Sequence, residues 1–151
     1  MKLCGLPFLL VCLITAVAAM AGELPVKIDG AWLRAMPPGS DATAAYMVLT
    51  NTGDQPLRVT GGSTPIAGMV IPMIGTRRTV DGKTVFGMKG TDALVIPARG
   101  TLELKPGGDH LMVMNLKSHP HPGDKVKFTI AFDGGTVDLE LPVSMDQPAQ
   151  H

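Results

Sequence analysis

Short apolar or β-branched runs, each closed by a cluster of Gly, Pro, Asn or Asp, recur along this chain from Val26 to Val143. No other feature constrains its fold as much. Runs of four to eight such residues suit strands, and the clusters between them supply the positive or fixed φ that a reversing chain needs. Long stretches with the apolar period of a helix are missing, so the chain is expected to be all-β, an antiparallel sandwich or barrel. Strands are predicted near 26–35, 44–51, 57–62, 68–74, 77–80, 84–88, 94–96, 101–104, 110–116, 125–132 and 136–143. Asp81-Gly82 is the strongest hairpin signal, because this dipeptide favours a type I′ turn whose twist matches the flanking strands. Val126, Phe128, Ile130 and Phe132, and then Val137, Leu139, Leu141 and Val143, alternate with polar neighbours and are read as core. Trp32 and Tyr46, the only Trp and Tyr, are expected to pack in or beside it.

The N-terminal end reads differently. Lys2, an uncharged apolar stretch over 6–17 and the small-residue segment Ala19-Met20-Ala21 have the form of a secretory signal peptide cleaved after Ala21. The apolar run is shorter than the ~20 residues of a spanning helix and no second one follows, so no stable membrane insertion is expected after cleavage. The expected organisation is a signal peptide over 1–21, one domain over 22–143 and a flexible polar tail over 144–151, in a periplasmic or secreted protein. Cys4 and Cys12 both fall inside the signal, neither in the small-residue context of a lipid-modified cysteine.

A mature chain without cysteine excludes a disulfide framework, a thiolate zinc site, a blue-copper centre and a cysteine nucleophile. Its sulfur is methionine: Met36, Met47, Met69, Met73, Met88, Met112, Met114 and Met145. Lys and Arg balance Asp and Glu at 13 each, with no basic block, so nucleic acid is not a favoured partner. No nucleophile motif, phosphate loop or three-histidine cluster points to an enzyme.

His110-Leu111-Met112 carries the chemistry. Residues two apart in a strand project from one face, so His110 and Met112 could reach one ion, and thioether with imidazole selects Cu(I). Met114 shares that strand face and is read as core packing. His119-Pro120-His121 could chelate a metal but has no third ligand in sequence, and is read as a solvated loop. Met145 and His151 in the tail are a weak metal signal.

Met88 followed at a distance by His110-x-Met112 resembles the second half of the ligand pattern of periplasmic copper chaperones of the PCu(A)C type. The frame is similar in order and spacing: Ala31-Trp32-Leu33-Arg34-Ala35 with Pro37-Pro38-Gly39, Ala44-Ala45-Tyr46 running into Leu49-Thr50-Asn51-Thr52-Gly53, and Leu104 through Met112. The resemblance implies a cupredoxin-like Greek-key antiparallel β-sandwich, Cu(I) as cargo, and a copper-acceptor protein such as a respiratory oxidase subunit as partner. It carries over three ligands, Met88, His110 and Met112. Where the family usually opens its pattern with His-x-Met, this chain has Ile71-Pro72-Met73, and Ile71 cannot bind a metal. Met73, at the family's own methionine position, is the candidate fourth ligand, ahead of Met69. Ile71 also leaves open a second reading, a secreted β-sandwich interaction or assembly module with a degenerate copper site.

Overall fold

The computed structural model describes residues 24–148, so the expected signal peptide and the last three residues of the tail lie outside the described residues. Ten strands are present among them, and no helix: β1 (Val26–Arg34), β2 (Ala42–Asn51), β3 (Leu57–Ser63), β4 (Ala67–Val80), β5 (Lys83–Gly90), β6 (Leu94–Ile96), β7 (Thr101–Leu104), β8 (His110–Leu116), β9 (Lys125–Phe132) and β10 (Gly135–Ser144). They run side by side as β5-β4-β8-β2-β1 and continue as β10-β9-β3-β6. Pairing of Gly62 with Val70 joins β3 to β4 and closes the layers on each other. β7 extends the line of β8, pairing with Met47–Thr50 of β2 where β8 pairs with Ala42–Ala45. The result is the expected cupredoxin-like all-β sandwich. Its one departure from antiparallel pairing is β1 with β10, matched in parallel at Leu33↔Val143 and Arg34↔Ser144. These strands come from opposite ends of the domain, so no hairpin dictates their relative direction.

Strand alternation decides which residues meet in the core. Leu33 of β1, Ala45, Met47 and Leu49 of β2, Leu111 and Val113 of β8, and Val126, Phe128, Ile130 and Phe132 of β9 are buried together. Leu141 and Val143 join them fully, whereas Val137 and Leu139 only pack against the edge. Asn51, 1% exposed, pins the turn after β2: its Nδ2 donates to Gln55 O (2.6 Å) and Ile96 O (3.3 Å), and its Oδ1 accepts from Gly53 N (2.9 Å).

β4 is longer than the sequence pattern suggests, because the strands expected at 68–74 and 77–80 are one strand running through Gly75. Pro72 does not break it. Its carbonyl accepts from Thr91 N at 3.0 Å, and in a strand the nitrogen of a residue faces the same way as its carbonyl. The donor that proline lacks therefore falls just past the end of β5, away from β8, where no ladder bond is lost. Asp81 (φ 51°) and Gly82 (φ 74°) make the two-residue turn with both φ positive, as a type I′ hairpin requires. From Thr76 onward the hairpin leaves the sandwich: every residue of β5 is exposed, including Phe86, which lies under the Arg77 guanidinium at 5.2 Å.

Candidate metal centre

The register of β5, β4, β8 and β2 places every ligand expected from the sequence on one face. Met73 is the direct partner of His110, and Ile71 of Met112. Gly90 is the partner of Met73, and Met88 that of Gly75. Directly opposed residues of an antiparallel pair share a face, and residues two apart do as well, so Met73, Met88, His110 and Met112 all point away from the core that Leu111 and Val113 enter. Opposed residues stand about 5 Å apart and diagonal ones about 7–8 Å, within reach of methionine side chains.

Two glycines keep this patch open. A Cβ at residue 90 would lie 3.8 Å from Met73 Sδ and 4.0 Å from Ile71 Cγ2, so the Met73 sulfur already rests over the bare backbone of β5 beside Met88. Gly75 leaves a gap in the row between Met88 and β8, where a Cβ would just touch Gly108 Cα at 3.4 Å. The Gly75 N–H donates to Asp109 Oδ1 at 3.0 Å, tying the hairpin base to the loop that leads into His110. Asp109, the only neighbouring carboxylate in sequence, thus serves the backbone and not the imidazole.

His110 is 5% exposed and its orientation is fixed. Its Nδ1–H donates to Gly108 O at 3.0 Å. A carbonyl can only accept, so the proton sits on Nδ1 and the lone pair on Nε2. A backbone carbonyl holding one ring nitrogen while the other stays free is the arrangement in which ligand histidines are usually found. The Tyr46 ring lies 6.2 Å away, and beyond it Trp32 at 4.8 Å from Tyr46. With Ala44 these two form a small buried cluster of their own, separate from the main core and on the side of the sheet that bears His110. The Arg34 guanidinium stands 6.0 Å from the Trp32 ring centre and 5.6 Å from that of Tyr46. Burial raises the pKa of the Tyr46 phenol, and the Arg34 charge offsets part of the rise.

Met114 is not in the core as expected. It is half-buried on the outer face, with Met69 opposite it on β4 and Ala42 on β2. The even alternation 110, 112, 114 carries that signal, since residues two apart in β8 share one face. Met69 lies two rows from His110, with Ile71 between, whereas Met73 is directly across from it; the order of the two candidate thioethers follows from that. Among the described residues no group of three or more His, Cys, Asp or Glu is placed to hold a metal ion. A cavity of about 670 Å³ between β3 and the β9/β10 pair is lined by neither His nor Met and is unconnected with this chemistry.

Known proteins place this geometry in context. The family model described as "Putative lipoprotein LpqE-like" matches residues 26–143. A protein named "Putative lipoprotein Lxx21020" from Leifsonia xyli subsp. xyli is 34% identical over 119 residues, covering 78% of this chain and 69% of its own. The solution structure of the Cu(I) form of DR1885 from Deinococcus radiodurans is 40% identical, with a TM-score of 0.66, 87% of this chain covered and 86% of that one. The copper-bound PCuAC domain from PmoF2 superposes with a TM-score of 0.68 over 81% of this chain and 94% of its own, at 24% identity, a likeness of fold alone.

Proposed function

Since the chain belongs to the LpqE-like family of PCu(A)C-type proteins and is homologous to copper-binding domains, we propose that it is an exported metallochaperone that carries Cu(I) and releases it by ligand exchange. The lipoprotein names of its relatives support export. The observation that carries the reading is the single outer face that Met73, Met88, His110 and Met112 share by register, with Gly75 and Gly90 among them.

The donors fit the cargo. Three thioethers and one imidazole form a soft set that favours Cu(I) over harder divalent ions. His110 supplies Nε2 from a buried, hydrogen-bonded ring, which fixes one corner. Met88, 44% exposed on an edge strand, is the donor an acceptor's ligands could displace first. Thioethers are neutral at any pH, so copper can leave without the proton uptake that a thiolate site requires. Methionine also cannot be bridged by the oxidising conditions an exported protein meets. A respiratory oxidase subunit lacking copper is the recipient this chemistry suits, because an acceptor with thiolate or multiple imidazole ligands offers stronger donors than thioethers.

A secreted interaction module with a degenerate site is the competing reading, and Ile71 is the observation behind it. One experiment separates them. In a competition against a colourimetric Cu(I) chelator, His110→Ala combined with Met112→Leu should cost the mature protein one bound equivalent. Unchanged retention in that double variant would rule this site out. Mixing the loaded protein with a copper-free acceptor should then move the metal without added reductant.

A further inference from the structure

At the far end of the same sandwich, the loop after β8, the segment after β1 and the residue after β10 enclose a cavity of about 240 Å³ lined by Met36, Met145, His119 and His121. Sequence alone left the two histidines without further ligands. The fold supplies them. We propose that this cavity is a second Cu(I) site, with Met36, Met145, His119 and His121 as its donors.

Three backbone ties hold these segments together. The parallel pairing of β1 with β10 puts Arg34 beside Ser144, and Ala35 N donates to Ser144 O at 2.8 Å, so Met36 and Met145 follow directly from adjoining residues. Gly123 N donates to Val143 O and Val143 N to Asp124 O, both at 2.9 Å, which fastens the histidine loop to the same strand end. Pro120 and Pro122 fix φ on either side of His121 and limit how far the loop can rearrange.

His119 shows the same device as His110. Its Nε2–H donates to Ser40 O at 2.7 Å, which leaves the lone pair on Nδ1. Two histidines of this chain are thus oriented by a backbone carbonyl, and each has a methionine among its close structural neighbours. His121 is exposed and contributes to the cavity lining; its backbone N donates to Asp124 Oδ2 at 2.8 Å, and its Nδ1 stands 4.0 Å from the same oxygen. Met145, 59% exposed, presents its thioether at the mouth of the cavity. Two thioethers with two imidazoles are soft enough for Cu(I). The site is distinct from the one at His110: β8 alone separates the two by about 20 Å at ~3.3 Å per residue.

Silver(I), a redox-inert monovalent probe, tests the assignment in the mature chain by NMR of the methionine methyl and histidine ring protons. The Met36 and Met145 methyls and the His119 and His121 rings should shift on titration, and should still shift in the His110→Ala, Met112→Leu variant. With Cu(I) under chelator competition, wild type should retain two equivalents and His119→Ala, His121→Ala one. Met36→Leu, Met145→Leu, which preserves volume and fold, should lose that same equivalent. If the Met88 and Met112 methyls shift while Met36, Met145, His119 and His121 stay unmoved, the second site is wrong and the first stands. If only the cavity residues shift, the second site stands without the first.

Discussion

Replacing Met73 by Leu tests the proposed copper shell at the donor directly across from His110. Leucine fills nearly the same volume and lacks only the sulfur lone pair. Met73 is half-buried, so the metal-free domain should change by less than about 1.5 kcal/mol. The copper-loaded domain should respond differently. Met73 is directly across the ladder from His110, and its sulfur lies over Gly90 beside Met88, so it stands between the buried and the exposed donors. Losing it should weaken binding by at least the ten- to hundredfold that loss of an outer-shell partner costs a metal site. That corresponds to about 1.4–2.7 kcal/mol. Metal that binds only the native state stabilises it by RT ln(1 + [L]/Kd), so the whole of this loss appears in the loaded protein. At about 3–5 °C per kcal/mol for a domain of this size, the loaded Tm should fall by about 4–13 °C more than the metal-free Tm does. Anaerobic thermal unfolding followed by circular dichroism, with and without one equivalent of Cu(I), measures both. An equal copper-induced rise in Tm for wild type and Met73→Leu would refute the four-donor shell and leave three ligands.

Ile71→His places an imidazole directly opposite Met112 on the ligand face, and should raise Cu(I) affinity about tenfold or more in chelator competition; unaltered competition would show that position 71 does not face the metal. Asn51→Ala strands the Gly53 N–H and two carbonyls around a buried turn, and should cost about 2–3 kcal/mol in urea unfolding while copper binding stays unchanged. Tyr46 is the only tyrosine, so absorbance near 295 nm follows its phenol alone. Because burial raises its pKa in the folded state, the midpoint should lie above the ordinary value of about 10. Stability owed to the neutral phenol is therefore present below pH 10 and is lost as pH climbs through the folded value; a midpoint at or below 10 in the folded protein contradicts this.

The strand pattern and the His110-x-Met112 pair could be read from the chain because both are local, set by alternation and by turn residues. What could not be read is what register brings together. Nothing near Met73 in sequence announces His110 as its partner, and the glycines at 75 and 90 look like ordinary strand interruptions until the ladder puts one beside Met88 and the other under the Met73 sulfur. The surroundings of the histidine loop are hidden for the same reason. Its further donors come from after β1 and after β10, and only the parallel pairing of those strands makes Met36 and Met145 neighbours. Gly75 suggests two short strands, since a glycine within a strand pattern looks like an interruption until the ladder is seen to run through it.

The bland account of so much methionine is gap filling, and it can be judged by position. Gap filling acts in a core, where an unbranched thioether adapts to irregular space. Met47, 1% exposed, fits that account. Met69 and Met88 do not, at 45% and 44% exposed, nor do the half-buried Met73, Met112 and Met114. All five share the outer face of β5, β4 and β8, on strands where Val, Ile or Thr would form a better sheet and where polar residues would suit water. Packing does not ask for sulfur there, whereas the proposed soft-metal site would. The same division accounts for how Ile71 is accommodated. The fold is held from the opposite face by Leu111, Val113 and their partners, so exchanging one outward imidazole for a β-branched side chain leaves the sandwich intact and alters only the donors it displays.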